Sequence, residues 1–201
     1  RGAHYAIVKR VLERVRVDGT TNREVHSYTE LATGLNFFRD GEWKESREEI
    51  EITKEGAIAR NGQHQVTFAA NINQAGAIRL TTPDGKELAS HVLGLAYMDA
   101  ASGNSVLFAE LTDATGELLP PRQVIYRNAF TDIRADLPYT YTLAGFEQDV
   151  IFRDPPPSPA DWGLDPATTR LEVWTEFLNP PSATTIDTVL KASPASQAQL
   201  M

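Results

Sequence analysis

Tight-turn signals recur along this chain about one strand length apart, and apolar and polar residues alternate between them, which restricts the fold to short extended segments joined by reversals. The strongest signal is Asn61-Gly62, set between Ala57-Ile58-Ala59-Arg60 and Gln63-His64-Gln65-Val66. Asn-Gly supplies the two positive-φ residues of a type I′ turn, so a tight hairpin is expected there. Thr82-Pro83-Asp84-Gly85 follows Ala77-Ile78-Arg79-Leu80 and reads as a second hairpin turn, with Pro presetting φ and Gly taking the left-handed position. Val17-Asp18-Gly19-Thr20, Ala101-Ser102-Gly103-Asn104 and Asp113-Ala114-Thr115-Gly116 carry the same turn chemistry.

The alternation assigns faces. Val66, Phe68, Ala70 and Ile72 fall on one side of an extended segment, as do Val124, Tyr126 and Phe130, and the run Ile133, Ala135, Leu137, Tyr139, Tyr141 and Leu143. Leu171, Val173, Thr175 and Phe177 form a dry face opposite the wetter Glu172, Trp174 and Glu176. His91 to Tyr97 and Ser105 to Ala109 are apolar on both faces, the pattern of central strands in a layered structure. Residues 1–11 admit two readings. Ile7, Val8, Val11, Leu12 and Val15 fit a helical stripe, but Val11, Val15 and Val17 also alternate around Glu13 into an Asp-Gly turn, and strand is the favoured reading.

These signals predict an all-β fold, a single large antiparallel β-sandwich of about a dozen strands, beyond the seven to nine of an immunoglobulin domain. At 201 residues the chain is long enough for one such core. The sandwich is expected over residues 1–179. Asp154 to Asp165, with Pro155, Pro156, Pro157 and Pro159, is expected as an extended surface loop. Residues 180–201 read as a linker-like tail in which Ile186, Val189 and Leu190 allow a short helix. The start at Arg1 and the polar tail suggest a piece of a longer polypeptide.

Composition narrows function by exclusion. With 41% hydrophobic and 23% charged residues the chain is globular rather than disordered. A net charge of −8 argues against a nucleic-acid partner, which requires concentrated positive charge. No apolar run reaches the roughly 20 residues of a helical membrane span. The absence of cysteine removes disulfides, thiolate metal sites and thiol nucleophiles, and leaves the compartment open. No G-x-S-x-G, P-loop, G-x-G-x-x-G or H-E-x-x-H is present, and the four histidines (His4, His26, His64 and His91) lack ligand-pair spacing, so no metal site or cofactor is expected. His91, in an apolar strand, reads as a hydrogen-bonded core histidine.

Three constellations remain as candidate sites. Glu147 and Asp149 share a strand face in Gly145-Phe146-Glu147-Gln148-Asp149-Val150-Ile151-Phe152, with Cα atoms about 6.5 Å apart, so their carboxylates approach the separations used in glycoside hydrolysis. Such catalysis needs one carboxyl in an apolar pocket; otherwise the pair is solvent-facing. Trp43, Glu45, Arg47, Glu49 and Glu51 would share another face, fit for a cation or a sugar, or else an exposed face on which Arg47 relieves carboxylate repulsion. Trp162, beside the proline loop, either stacks on a ligand or folds back to pin the loop.

Ser27 to Asn36 (Ser-Tyr-Thr-Glu-Leu-Ala-Thr-Gly-Leu-Asn), Arg47-Glu48-Glu49-Ile50-Glu51 and Gly145-Phe146-Glu147-Gln148-Asp149-Val150 resemble the β-rich N-terminal region of large exported bacterial proteins that carry RHS or YD repeats further downstream. The resemblance runs from near Tyr5 to about Leu178, and no YD-repeat segment is present in this chain. It assigns no catalytic residue. It implies a secreted or cell-surface bacterial location and a structural or binding module of a longer polypeptide, with other domains of that polypeptide as partners. The alternative is a carbohydrate-binding or carbohydrate-active sandwich, using Trp43, Tyr97, Trp162 and Trp174 with Glu147 and Asp149 on polysaccharide.

Overall fold

Alternation and turn chemistry generate sixteen strands and no α-helix in residues 1–182, the part of the chain that the computed structural model describes. In order they are β1 (Tyr5–Val15), β2 (Thr21–Leu31), β3 (Asn36–Arg39), β4 (Glu42–Glu45), β5 (Glu51–Ile52), β6 (Gly56–Ala59), β7 (Gln65–Ala69), β8 (Ile78–Thr81) and β9 (Glu87–Asp99). There follow β10 (Ser105–Glu110), β11 (Gly116–Leu119), β12 (Gln123–Tyr126), β13 (Ala135–Tyr141), β14 (Phe146–Gln148), β15 (Ile151–Phe152) and β16 (Thr169–Leu178). The suggested helix around Ile186 lies outside the described residues.

All paired strands run antiparallel, in four sheets. A seven-stranded sheet contains β5 to β10 and β16, a five-stranded sheet contains β11 to β15, and β1–β2 and β3–β4 are separate two-stranded ribbons. Long β9 organises the larger sheet: β16 pairs along one side, while β8 and β10 share the other. Of the two strands expected to be central, β9 is, whereas among the described residues β10 pairs with β9 alone. Its doubly apolar pattern has a different cause, a bulge at Phe108 that sends this ring against Tyr97 and Trp162.

Side chains from both larger sheets enter one core. Ala59, Val66, Phe68, Ile78, Val92 and Leu95 come from the first, and Val124, Tyr126, Ala135, Leu137, Tyr139 and Tyr141 from the second. Two buried tyrosine hydroxyls reach a backbone acceptor beside the other sheet, which offsets the burial of a polar group. Tyr126 Oη donates to the Ala69 carbonyl at 2.7 Å, and Tyr141 Oη to that of His64 at 3.0 Å.

The turns expected at Val17–Thr20, Thr82–Gly85 and Ala101–Asn104 form, whereas Asp113–Gly116 makes no turn: it links β10 to β11, which lie in different sheets, and Thr115 bridges Asn71 instead. Gly19, Gly85 and Gly103 all adopt positive φ in their turns. At Asn61-Gly62, however, neither residue has positive φ, and the last paired residues are Ala59 and Val66, so the loop is longer than a type I′ turn. Gly62 is buried under the Tyr141 hydroxyl, where a Cβ would collide, and the Asn61 carbonyl accepts from Arg47 N–H at 2.7 Å. Tertiary contacts, not local turn preference, shape this loop.

Candidate docking surfaces

Of residues 1–11, those from Tyr5 on are strand rather than helix, and the hairpin they begin is the most unusual part of the molecule. β1 and β2 pair over their full length, Tyr5 with Leu31 through to Val15 with Thr21, giving a ribbon of eleven residues per strand. At about 3.3 Å per residue the ribbon is roughly 36 Å long. Among the described residues neither strand pairs with anything but the other. Asp18 caps the tip: its carboxylate accepts from Thr20 N–H and Oγ1, which holds it below the usual carboxylate range.

The arm presents apolar side chains on both faces. Tyr5, Ile7, Val11, Val15, Val25 and Leu31 share one face and are exposed; Val8, Leu12 and Tyr28 lie on the other. A lone two-stranded ribbon is marginal in water, and apolar groups spread over such an element mark a surface awaiting a partner. The root of the arm is fixed more firmly. Asn36, only 1% exposed, donates through Nδ2 to the carbonyls of Gly2 (2.9 Å) and Tyr5 (3.0 Å). Gln63 Nε2 donates to those of Ala3 and Asn36, both at 3.1 Å. Gly34 has a φ of +70° and backs against the Leu143 carbonyl, a place that admits no Cβ; its N–H donates to His4 Nδ1 at 3.1 Å.

The second surface is β16, which pairs only with β9 among the described residues and so leaves one edge of backbone groups open. The expectation of a dry face at Leu171, Val173, Thr175 and Phe177 is corrected here. Leu171, Val173 and Phe177 are 44%, 37% and 52% exposed. They stand beside Tyr97, Leu95 and Ser90 on β9, so they continue the core-facing side of the sheet beyond the point where other elements cover it. The opposite face carries Glu172, Trp174 and Glu176. Trp174 Nε1 donates to Glu172 Oε2 at 3.0 Å, and Glu176 Oε1 lies 3.2 Å from His91 Nδ1.

The other sequence candidates do not converge. Tyr97 is 5% exposed, stacks on Phe108 at 4.6 Å and donates from Oη to the Pro157 carbonyl at 2.6 Å. Trp162 tilts against both rings, at 6.2 and 5.8 Å, so this pair pins the proline loop to the sheet. Trp174 pairs with Gly94, on the sheet face opposite Tyr97. Glu147 is exposed on β14 and Asp149 is exposed in the break between β14 and β15, so they do not share one strand face, and neither has the apolar pocket that acid catalysis needs. The run from Trp43 to Ile52 is not one strand: it leaves β4 at Glu45 and re-enters β5 at Glu51, and Arg47 lies 3.9 Å from Glu49 in an exposed pair.

Trp43 packs edge-on against Phe38 at 5.4 Å, at the rim of a concavity of about 360 Å³ that Gln63, Gln65 and Pro83 also line. A larger concavity, about 610 Å³, lies over β6 to β8; its Arg60 and Arg79 are paired with Glu51 (3.1 Å) and Glu87 (2.7 Å). Among the described residues no group of three or more His, Asp or Glu is placed to hold a metal ion, and no helix is long and apolar enough to cross a membrane.

Sequence reasoning passed over Phe38, Asn36, Gln63 and the basic residues of the arm. The signal for the arm was present: apolar residues on both faces of a long hairpin that also carries Lys9, Arg10, Arg14 and Arg16. Compared with known proteins, the chain matches no family, no curated protein and no solved structure.

Proposed function

We propose that this chain is a non-enzymatic binding module of a larger exported or cell-surface bacterial protein, one that docks other polypeptide segments through strand edges. In this reading the two larger sheets act as a single β-sandwich that holds the arm and β16 in place. The observation that carries it is the pairing of open backbone edges with uncovered apolar side chains at both surfaces. Strand addition supplies main-chain hydrogen bonds for affinity and side-chain alternation for register. Hydrogen exchange tests it. Arm amides in the chain alone, at low micromolar concentration, should exchange fast, and at least about tenfold slower when the neighbouring domains of its polypeptide are added. No change in the arm or in β16 would remove the reading.

The Phe38–Trp43 rim favours a second reading, carbohydrate binding, because an exposed aromatic beside amide side chains suits a sugar face. On a glycan array, Trp43→Ala should abolish any signal while Glu147→Gln leaves it intact. Silence of the wild-type chain across a broad panel eliminates this reading.

A further inference from the structure

We propose that the β1–β2 arm of one copy pairs along the free edge of β16 in a second copy; this rests on the docking reading above and names the partner. Charge is the first argument. Residues 1–31 hold six Lys and Arg against four Asp and Glu, a net of +2, whereas residues 32–182 hold twelve against twenty-two, a net of −10. A basic arm on an acidic body is complementary to another copy of itself, and opposite potentials both steer and orient association.

Length and spacing agree. β1 has eleven residues and β16 ten. Arg10 and Arg14, exposed and without an ion-pair partner among the described residues, share the face of β1 that also carries Leu12. Glu172 and Glu176 share a face of β16 with Trp174 between them. Both pairs are four residues apart, so one register brings both arginines beside both glutamates and Leu12 beside Trp174. The apolar neighbours choose the direction. Running parallel, Val11 falls next to Val173 and Val15 next to Phe177, extending the dry side of β9 and β16. Running antiparallel, the same register sets Glu13 against Val173 and Lys9 against Phe177. The parallel register leaves Lys9 beside Leu171 but makes two apolar pairs on this face, where the antiparallel one makes only Val15 with Leu171, and it satisfies the open backbone edges.

Sedimentation of the intact 201-residue chain from about 1 to 200 µM at low salt tests the pairing. The expected result is concentration-dependent association, weakened about tenfold or more by the double substitution Arg10→Glu with Arg14→Glu, and equally by Glu172→Arg with Glu176→Arg. An equimolar mixture of the two double variants should recover wild-type association, because opposite charges then meet again at every contact. General destabilisation cannot produce that recovery. A chain that stays monomeric throughout, association indifferent to both double variants, or variants that fail to restore one another would each overturn the proposal. If the chain is monomeric but its arm gains protection against neighbouring domains, the docking reading survives and the second copy is excluded; if neither occurs, both fall.

Discussion

Replacing Tyr139 by alanine is expected to lower the unfolding free energy by about 3–5 kcal/mol, the usual loss when a large core aromatic is truncated. Tyr139 is 1% exposed on β13, and burial pushes its hydroxyl pKa upward. Its ring lies parallel to Phe146 at 5.6 Å and edge-on to Tyr126 at 6.0 Å, both in the five-stranded sheet. It also meets Phe68 of the seven-stranded sheet edge-on at 6.3 Å. The ring therefore belongs to the core that both larger sheets enter, and truncation opens a void lined by three aromatic rings rather than a gap at an edge. Urea unfolding gives the check. The midpoint should fall with little change in slope, and Tyr139→Phe, which keeps the ring, should cost less than about 1.5 kcal/mol. A loss below about 1 kcal/mol in the alanine variant would mean that the two sheets do not share a core.

Asp136→Ala is expected to cost about 2–4 kcal/mol, because it strands groups organised around one carboxylate. Asp136 is 3% exposed. Its Oδ1 accepts from Asn128 N–H at 2.9 Å, its Oδ2 accepts from Arg153 Nε at 2.9 Å and from the Arg153 guanidinium terminus at 2.5 Å, and Arg127 lies 3.7 Å away. Burial alone would raise the carboxyl's pKa, but the Asn128 N–H and the two guanidinium groups together hold it below the usual aspartate range. A depressed folded pKa means that the unfolded chain takes up the proton first. The contribution of Asp136 is thus complete above the ordinary aspartate range, near pH 4, and is lost as pH falls through the lower folded value.

His64 acts at a higher pH. It is half-buried against Tyr141, with ring centroids 4.9 Å apart and Nε2 unpartnered, and burial lowers its pKa. The folded state favours neutral His64, so stability should begin to fall as pH drops below about 6.5, the ordinary histidine value. Thermal unfolding followed from pH 8 to pH 3 should show both losses, the histidine step first. Asp136→Asn should flatten only the lower one. A midpoint that rises on acidification through pH 6 would contradict the sign of the histidine effect.

Much of this architecture was legible because its causes are local. Asp18-Gly19, Pro83-Asp84-Gly85 and Ser102-Gly103 reverse the chain for reasons contained in their own backbone chemistry, and each does so in the folded protein. Val66, Phe68 and Ile72, and the alternate residues Ala135, Leu137, Tyr139 and Tyr141, are buried as their period of two indicated, but Asp136 and Pro138 between them are buried too. Of the candidate site residues, Trp162 takes up the pinning role that was one of its two readings. Trp43 takes its place at a rim only because β3 brings Phe38 beside it, a pairing that no single segment announces.

The amino-acid order by itself determined that the chain is extended, where most of its turns fall, and which side chains share a face, since neighbours within about four residues decide all of these. Tertiary structure alone decided which faces are covered: the apolar rows of β1, β2 and β16 have the same pattern as buried strands, yet none of the described residues covers them. It also overrode the Asn61-Gly62 turn by seating Gly62 under Tyr141. Coverage is a property of distant segments meeting in space, and alternation along one strand carries no record of what stands opposite.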